Sequence, residues 1–314
     1  MQGWVIAIIA IGYVTLLFAI ASLGDRRAAI RETGSRPYIY ALSLAIYCTS
    51  WTFFGSVGLS SERAFEFLTI YIGPILVFLC AHRLLGRIIQ LSKSEKITSI
   101  ADFLAARYGK SFAVASVATF IATCGTIPYI ALQLKAISDS VRLMMEHYDG
   151  TPPRIDLFVG DISLFIAMLL ALFAVLFGTR HADATEHQNG LVLAVAVESV
   201  VKLAAFLAVG LSVTFVLFGG PFDLIARVST ESQVIEALSR PASLASWVVM
   251  TTLSACAIIL LPRQFYVTIV ENKSAEELQT ATRVFPLYLL LINIFVIPIT
   301  VAGLHLVGER TSAD

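Results

Sequence analysis

The chain has 314 residues, of which 57% are hydrophobic and 14% charged, with a formal net charge of zero and a mean hydropathy of +0.82. A soluble domain carries roughly 25% charged residues, so these values exclude an ordinary water-soluble protein and point to an all-α integral membrane protein. The absence of net positive charge also argues against a nucleic-acid partner, whose binding is dominated by basic contacts to phosphate. Four cysteines, Cys48, Cys80, Cys124 and Cys256, lie in apolar segments and form neither a disulfide framework nor a zinc spacing.

A membrane-spanning helix needs about 20 mostly apolar residues, and lipid offers no partner to unpaired backbone groups, so helices are expected throughout. Eight segments qualify or nearly so: 4–23, 38–60, 67–81, 111–134, 162–179, 190–219, 243–261 and 284–307. The first lacks a basic leader and an A-x-A cleavage site and reads as a span, not a signal peptide. The third is short and is expected to extend over Glu66 or Arg83.

The second segment, "ALSLAIYCTSWTFFGSVG", carries no charge, yet holds Tyr47, Cys48, Thr49, Ser50 and Trp51 where a plain anchor would hold Leu and Val. Interrupted helices free backbone carbonyls to coordinate a cation or a solute. Thr and Ser can instead bond back to their own helix and leave it inert. Both readings stand at this point.

Two connectors have helix signals of their own. "SEKITSIADFLAARYGKS" offers a start at Thr98 or Ser99 and an apolar face of Ile100, Phe103, Leu104 and Tyr108. "ENKSAEELQTATR" starts at Ser274 and places Glu276 and Glu277 in the first turn, where the helix dipole favours them. The plainer reading of both is a solvated linker.

Gly125, Pro128 and Tyr129 weaken the fourth span, since proline removes an internal hydrogen bond; they give either a kink or a ligand. Before the sixth span, "TRHADATEHQNG" holds His181, Asp183, Glu186 and His187. A metal site is one reading. The D-x-x-E spacing of a capping box, with Glu186 at an inner gate, is the other. Within that span Glu198 and Lys202 stand four apart in the order preferred for an ion pair on one face. Each alone would cost about 2.5–3.5 kcal/mol in hydrocarbon, so together they must face protein or water. They serve either as a gate or as a self-neutralising pair. In the seventh span Thr251, Thr252, Ser254 and Cys256 form a small polar stripe, suited to helix packing or to a ligand. Pro262 reads as a helix stop.

Loops 24–37, 82–110, 179–189 and 262–283 hold fourteen Lys and Arg, and the alternate loops with the tail hold seven. The positive-inside rule therefore places both termini outside and the richer loops in the cytoplasm.

The stretches "ALSLAIYCTSWTFFGSVG", "ITSIADFLAARYGKS", "GTIPYIALQLKAIS", "FGTRHADATEHQNGLVLAVAVESVVKLAAFLAVG" and "LPRQFYVTIVEN" resemble the sodium/solute symporter family. They are most similar to the symporter-like N-terminal region of CbrA-type sensor histidine kinases, and the likeness runs in order over nearly the whole chain. The resemblance implies a LeuT-like bundle of two inverted five-helix repeats, incomplete here. An extra helix (1–24) precedes the first repeat (38–219), and the second repeat begins at 243–307, so residues 1–314 form one truncated domain.

The resemblance further implies sodium-coordinating carbonyls at Ala45 and Cys48, and substrate contacts from Thr49, Ser50, Trp51 and Ser254. It matches Glu186 to a family aspartate at the start of the sixth span, in a coupling or gating role, beside the gate or ion-coupling reading that spacing gives Glu198 and Lys202. Tyr47 stands where the transporters carry an acidic residue, which counts against ordinary sodium coupling. Ser254 stands where they carry a substrate-side tryptophan, so proline-like selectivity is not expected. The implied function is the transport and sensing module of a two-component histidine kinase in the bacterial inner membrane. It would bind a small amino acid such as histidine, with Na+ or H+ as coupling ion and no other cofactor. A response regulator would be met only through domains beyond this chain, and no catalysis resides within it. The alternative is a fragment of a free-standing symporter.

Overall fold

The computed structural model describes residues 3–30, 34–149, 188–228, 232–240 and 243–307, with isolated helical residues at 164, 167, 168 and 171. The fifth expected span, 162–179, and the cluster His181, Asp183, Glu186 and His187 therefore lie outside the described residues, apart from those four positions.

Among the described residues the fold is all-helical. Four helices are long and apolar enough to cross a membrane, and the number rises to seven if each of three bent pairs is one span. Helix α1 (Gly3–Ile30) leaves Ile8, Ile9, Ile11, Leu16 and Leu23 exposed, as lipid contact requires. The second segment divides into α2 (Pro37–Ser43), a 3-10 turn (Leu44–Tyr47), α3 (Ser50–Phe53) and α4 (Gly55–Arg63). The two halves meet at 75°.

The third segment begins at Glu66 as a 3-10 turn and continues as α5 (Thr69–Cys80). It bends by 76° into α6 (His82–Ser94). The expected extension thus occurs at the Glu66 end and not as a straight run past Arg83. Helix α6 turns because its apolar positions, Leu85 and Ile89, are spaced for one face only, with charged residues on the other.

Ser99 caps α7 (Ile100–Arg107), its Oγ accepting the Asp102 N–H at 3.1 Å. The inward face of α7 is Ile100, Phe103 and Ala106, packed with Phe265; Leu104 and Tyr108 are exposed, contrary to the expected stripe. Helix α8 (Phe112–Asp149) continues through Pro128 and runs well past residue 134.

Helix α9 (Asn189–Leu211) continues as a π turn to Leu217. Two short helices, α10 (Pro221–Val228) and α11 (Ser232–Ser239), follow. Helix α12 (Leu244–Leu260) ends at Leu261, whose backbone is extended, and Pro262 then opens α13 (Pro262–Phe265) and a π turn to Val270. The bend is 56°. The long helix thus stops at Leu260, just ahead of Pro262 as expected, and what the stop reading does not include is the new helical turn that Pro262 opens. Pro262 occupies the first position of that turn, where its missing N–H costs nothing, and it pushes the preceding residue out of the helical region.

Ser274 caps α14 (Ala275–Asn293) as expected, and α15 (Val296–Val307) completes the described chain. The main core joins α2, the 3-10 turn, α5, α12 and α14 through Tyr40, Leu44, Phe67, Tyr71, Phe78, Phe285 and Leu289. Helix α5 meets α12 closely at Gly73: a Cβ there would lie 2.1 Å from Ser254 Oγ and 2.6 Å from the Thr251 carbonyl. Small residues in the α12 stripe therefore serve helix packing at this point.

Candidate functional site

The break in the second segment is built by four residues. Tyr47 closes the 3-10 turn, and its hydroxyl donates to the Ile70 carbonyl at 2.7 Å, tying the turn to α5. Cys48 and Thr49 are extended, with φ/ψ of −81°/104° and −108°/−167°. Ser50 restarts the helix. Two residues outside helical geometry interrupt the i→i−4 ladder, which frees backbone groups in a buried place.

The freed groups find tertiary partners. The Cys48 N–H donates to the Ala45 carbonyl at 2.9 Å, so one of the two expected carbonyl ligands serves the turn itself. The Cys48 carbonyl accepts from Lys202 Nζ at 3.0 Å. Lys202 also lies 3.3 Å from Glu198 Oε1, as the spacing of the two residues predicts. Ala45 and Cys48 are both fully buried. The structure thus brings together Ala45, Cys48, Glu198 and Lys202, which belong to two segments more than 150 residues apart in the chain.

Across the break, Ser50 meets Gln133 of α8. Both its N–H, at 3.2 Å, and its hydroxyl donate to Gln133 Oε1. Gln133 was not singled out in the sequence; a lone glutamine on a long apolar helix was the available signal. Trp51 is half-buried against the core, its indole lying over Gly55. A Cβ on Gly55 would fall 2.4 Å from Trp51 Nε1. Gly55→Ala is therefore expected to displace the indole at a cost of about 1–3 kcal/mol. A lower melting temperature and a shifted tryptophan emission in detergent would show this; no change in either would mean that the indole has room to move.

Ser254 is placed differently. Its hydroxyl donates to the Thr69 carbonyl at 2.7 Å, which engages it in the α5–α12 contact.

The second break, at Leu261–Pro262, adds groups the sequence reading did not foresee. Helix α13 packs against the 3-10 turn of the first break. Arg263 reaches α8, donating to the Tyr129 hydroxyl at 3.0 Å, with its guanidinium 5.4 Å from the ring centroid. Gln264 is fully buried, and neither its amide nitrogen nor its amide oxygen has a hydrogen-bond partner among the described residues. A buried donor and acceptor left unpaired are costly, and such groups call for an explanation, a ligand among them.

One end of the bundle is closed by a buried polar clasp. Glu277 accepts the Arg36 N–H at 2.9 Å and the Lys273 N–H at 2.7 Å. Glu271 accepts the Gln188 N–H at 2.9 Å and lies 3.6 Å from Arg36 Nη2. Arg36 Nη1 also donates to the Asn189 carbonyl, and Lys273 Nζ to Asn189 Oδ1. Both carboxylates are almost wholly buried. Burial pushes the Arg36 and Lys273 pKa values below their ordinary range; Glu271 and Glu277 partly offset this for both. The start of α9 is further held by Asp25, which accepts the Gly190 N–H at 2.6 Å. Capping of this helix thus comes from α1 and from Glu271, while Asp183 and Glu186 lie outside the described residues.

Two open clefts, of about 240 and 490 Å³, are lined in part by Ser92, Lys93 and Ile269 and by His82, Leu278 and Arg283, and neither lining includes a residue of Tyr47–Ser50 or Leu261–Pro262. Among the described residues no group of three His, Cys, Asp or Glu side chains is arranged to hold a metal. Comparison with protein families, curated proteins and solved structures finds no match for this chain.

Proposed function

We propose that this chain is a solute-binding membrane module, a LeuT-like bundle that takes up or senses a small amino acid at the break between Tyr47 and Ser50. The observation that carries the reading is the 75° break itself, set in a buried core with an ammonium on its freed carbonyl. A plain anchor has no use for such an interruption, whereas a bound solute needs backbone groups released from the helix. Thr49, Ser50 and Trp51 form the wall beside the break, and Gln264 supplies an amide that a solute carboxylate or amine can pair. Ser254 would act through its packing contact with Thr69.

In this reading the first repeat spans the second to sixth segments, and occupancy changes the packing of the two broken helices. In a two-component histidine kinase the change would pass to phosphotransfer domains outside these residues, in the bacterial inner membrane. Trp51→Ala is expected to abolish binding and uptake of labelled amino acids by vesicles containing the protein, while membrane insertion stays normal. Unchanged affinity and uptake would remove Trp51 from the site.

A further inference from the structure

We infer that the Lys202 ammonium is the resident cation of the break at Cys48–Thr49, a tethered charge standing where a mobile sodium ion would otherwise sit. The break turns the Cys48 carbonyl out of the helical ladder in a fully buried position, which is how a chain makes a cation ligand from its own backbone. That carbonyl is taken by Lys202 Nζ at 3.0 Å. Glu198 Oε1, 3.3 Å away, holds the same ammonium from its own helix.

Three features favour a resident charge over a free ion. The ammonium and a metal ion would compete for the same carbonyl lone pair, and two positive charges sharing it repel in a site of low dielectric. Tyr47, beside the break, offers a hydroxyl committed to the Ile70 carbonyl and brings no negative charge to balance a second cation. Among the described residues the carboxylate paired with this ammonium is Glu198, one charge matched by one. A lysine also supplies a cation that cannot diffuse away, so the break stays closed on its own charge without sodium. Glu198 is a positioning residue for that charge. The consequence for solute handling, binding without sodium, rests on the function proposed above; the occupancy of the carbonyl does not.

The test uses sodium alone. The purified protein in lipid nanodiscs is melted in NaCl and in choline chloride at equal ionic strength, as wild type and as Lys202→Ser. Binding to the folded state alone raises the melting temperature with ligand concentration, so wild type is expected to melt alike in both salts. Lys202→Ser is expected to gain a saturable stabilisation by Na+ that choline does not give. A saturable rise of wild type with Na+ would overturn the inference, as would a folded Lys202→Ser indifferent to sodium. Should Lys202→Ser fail to fold, radioactive sodium binding to wild type decides: saturable uptake of one ion per chain contradicts the tethered cation, and its absence supports it. No solute enters either measurement, so failure here leaves the solute site standing, and failure of solute binding leaves this inference untouched.

Discussion

Glu277→Ala is expected to destabilise the protein by about 3–5 kcal/mol, the range for removing one member of a buried, hydrogen-bonded charged cluster. The carboxylate is fully buried, and its two oxygens each accept a backbone N–H, from Arg36 and from Lys273. Its loss leaves those donors and the Arg36 guanidinium in a place where burial already disfavours the charge. The clasp fastens the start of α2 to the start of α14, with Glu271 fastening α9 alongside, so the damage should spread to both helices. Glu277→Gln keeps one carbonyl oxygen as acceptor and should cost less. A surface control is Glu236→Ala, which breaks only the exposed i,i+4 pair with Arg240 and should cost at most about 1 kcal/mol. Chemical denaturation in detergent checks all three, and equal midpoints for Glu277→Ala and the control would contradict the buried clasp.

Gln264→Leu is expected to act in the opposite direction. An orphaned buried polar group costs about 1–3 kcal/mol, and replacing it by an apolar side chain of similar size can be neutral or stabilising. Without solute, the variant should therefore melt higher than wild type. With solute, it should lose the stabilisation that wild type gains, because the amide is assigned to the ligand. A variant that melts lower without solute would show that the amide has a partner in the resting protein.

The second of these predictions concerns a residue that the sequence alone did not single out, and the reason is physical. Gln264 sits two residues after a proline at the end of an apolar run, where a stop is the simplest reading. Only the direction of the chain after Pro262 distinguishes a stop from a break, and that direction is set by tertiary packing against the 3-10 turn. The first break was more legible. Its hydroxyls, aromatics and glycines interrupt an uncharged apolar segment, which left two readings open; the extended Cys48 and Thr49 show the helix to be broken.

The ion pair of Glu198 and Lys202 followed from spacing on one helix, but the acceptor that matters, the Cys48 carbonyl, lies on another helix and carries no sequence signature. Ser99 and Ser274 show the same division. Both caps were visible as local patterns, whereas the burial of Glu277 behind Ser274 depends on Arg36 arriving from the far side of the chain. In the sequence, helix α6 falls within the basic loop 82–110, because its charged residues mask a one-sided apolar stripe.

The central claim is that the break between Tyr47 and Ser50 is a solute site. Thiol labelling of Ser50→Cys, in a chain whose four native cysteines are replaced, tests it most directly, since Ser50 borders the break and its hydroxyl already meets Gln133. A small water-soluble reagent is expected to react there, and at least one of the amino acids, added singly, is expected to slow that reaction saturably. Labelling that proceeds at the same rate whatever amino acid is present would contradict the account.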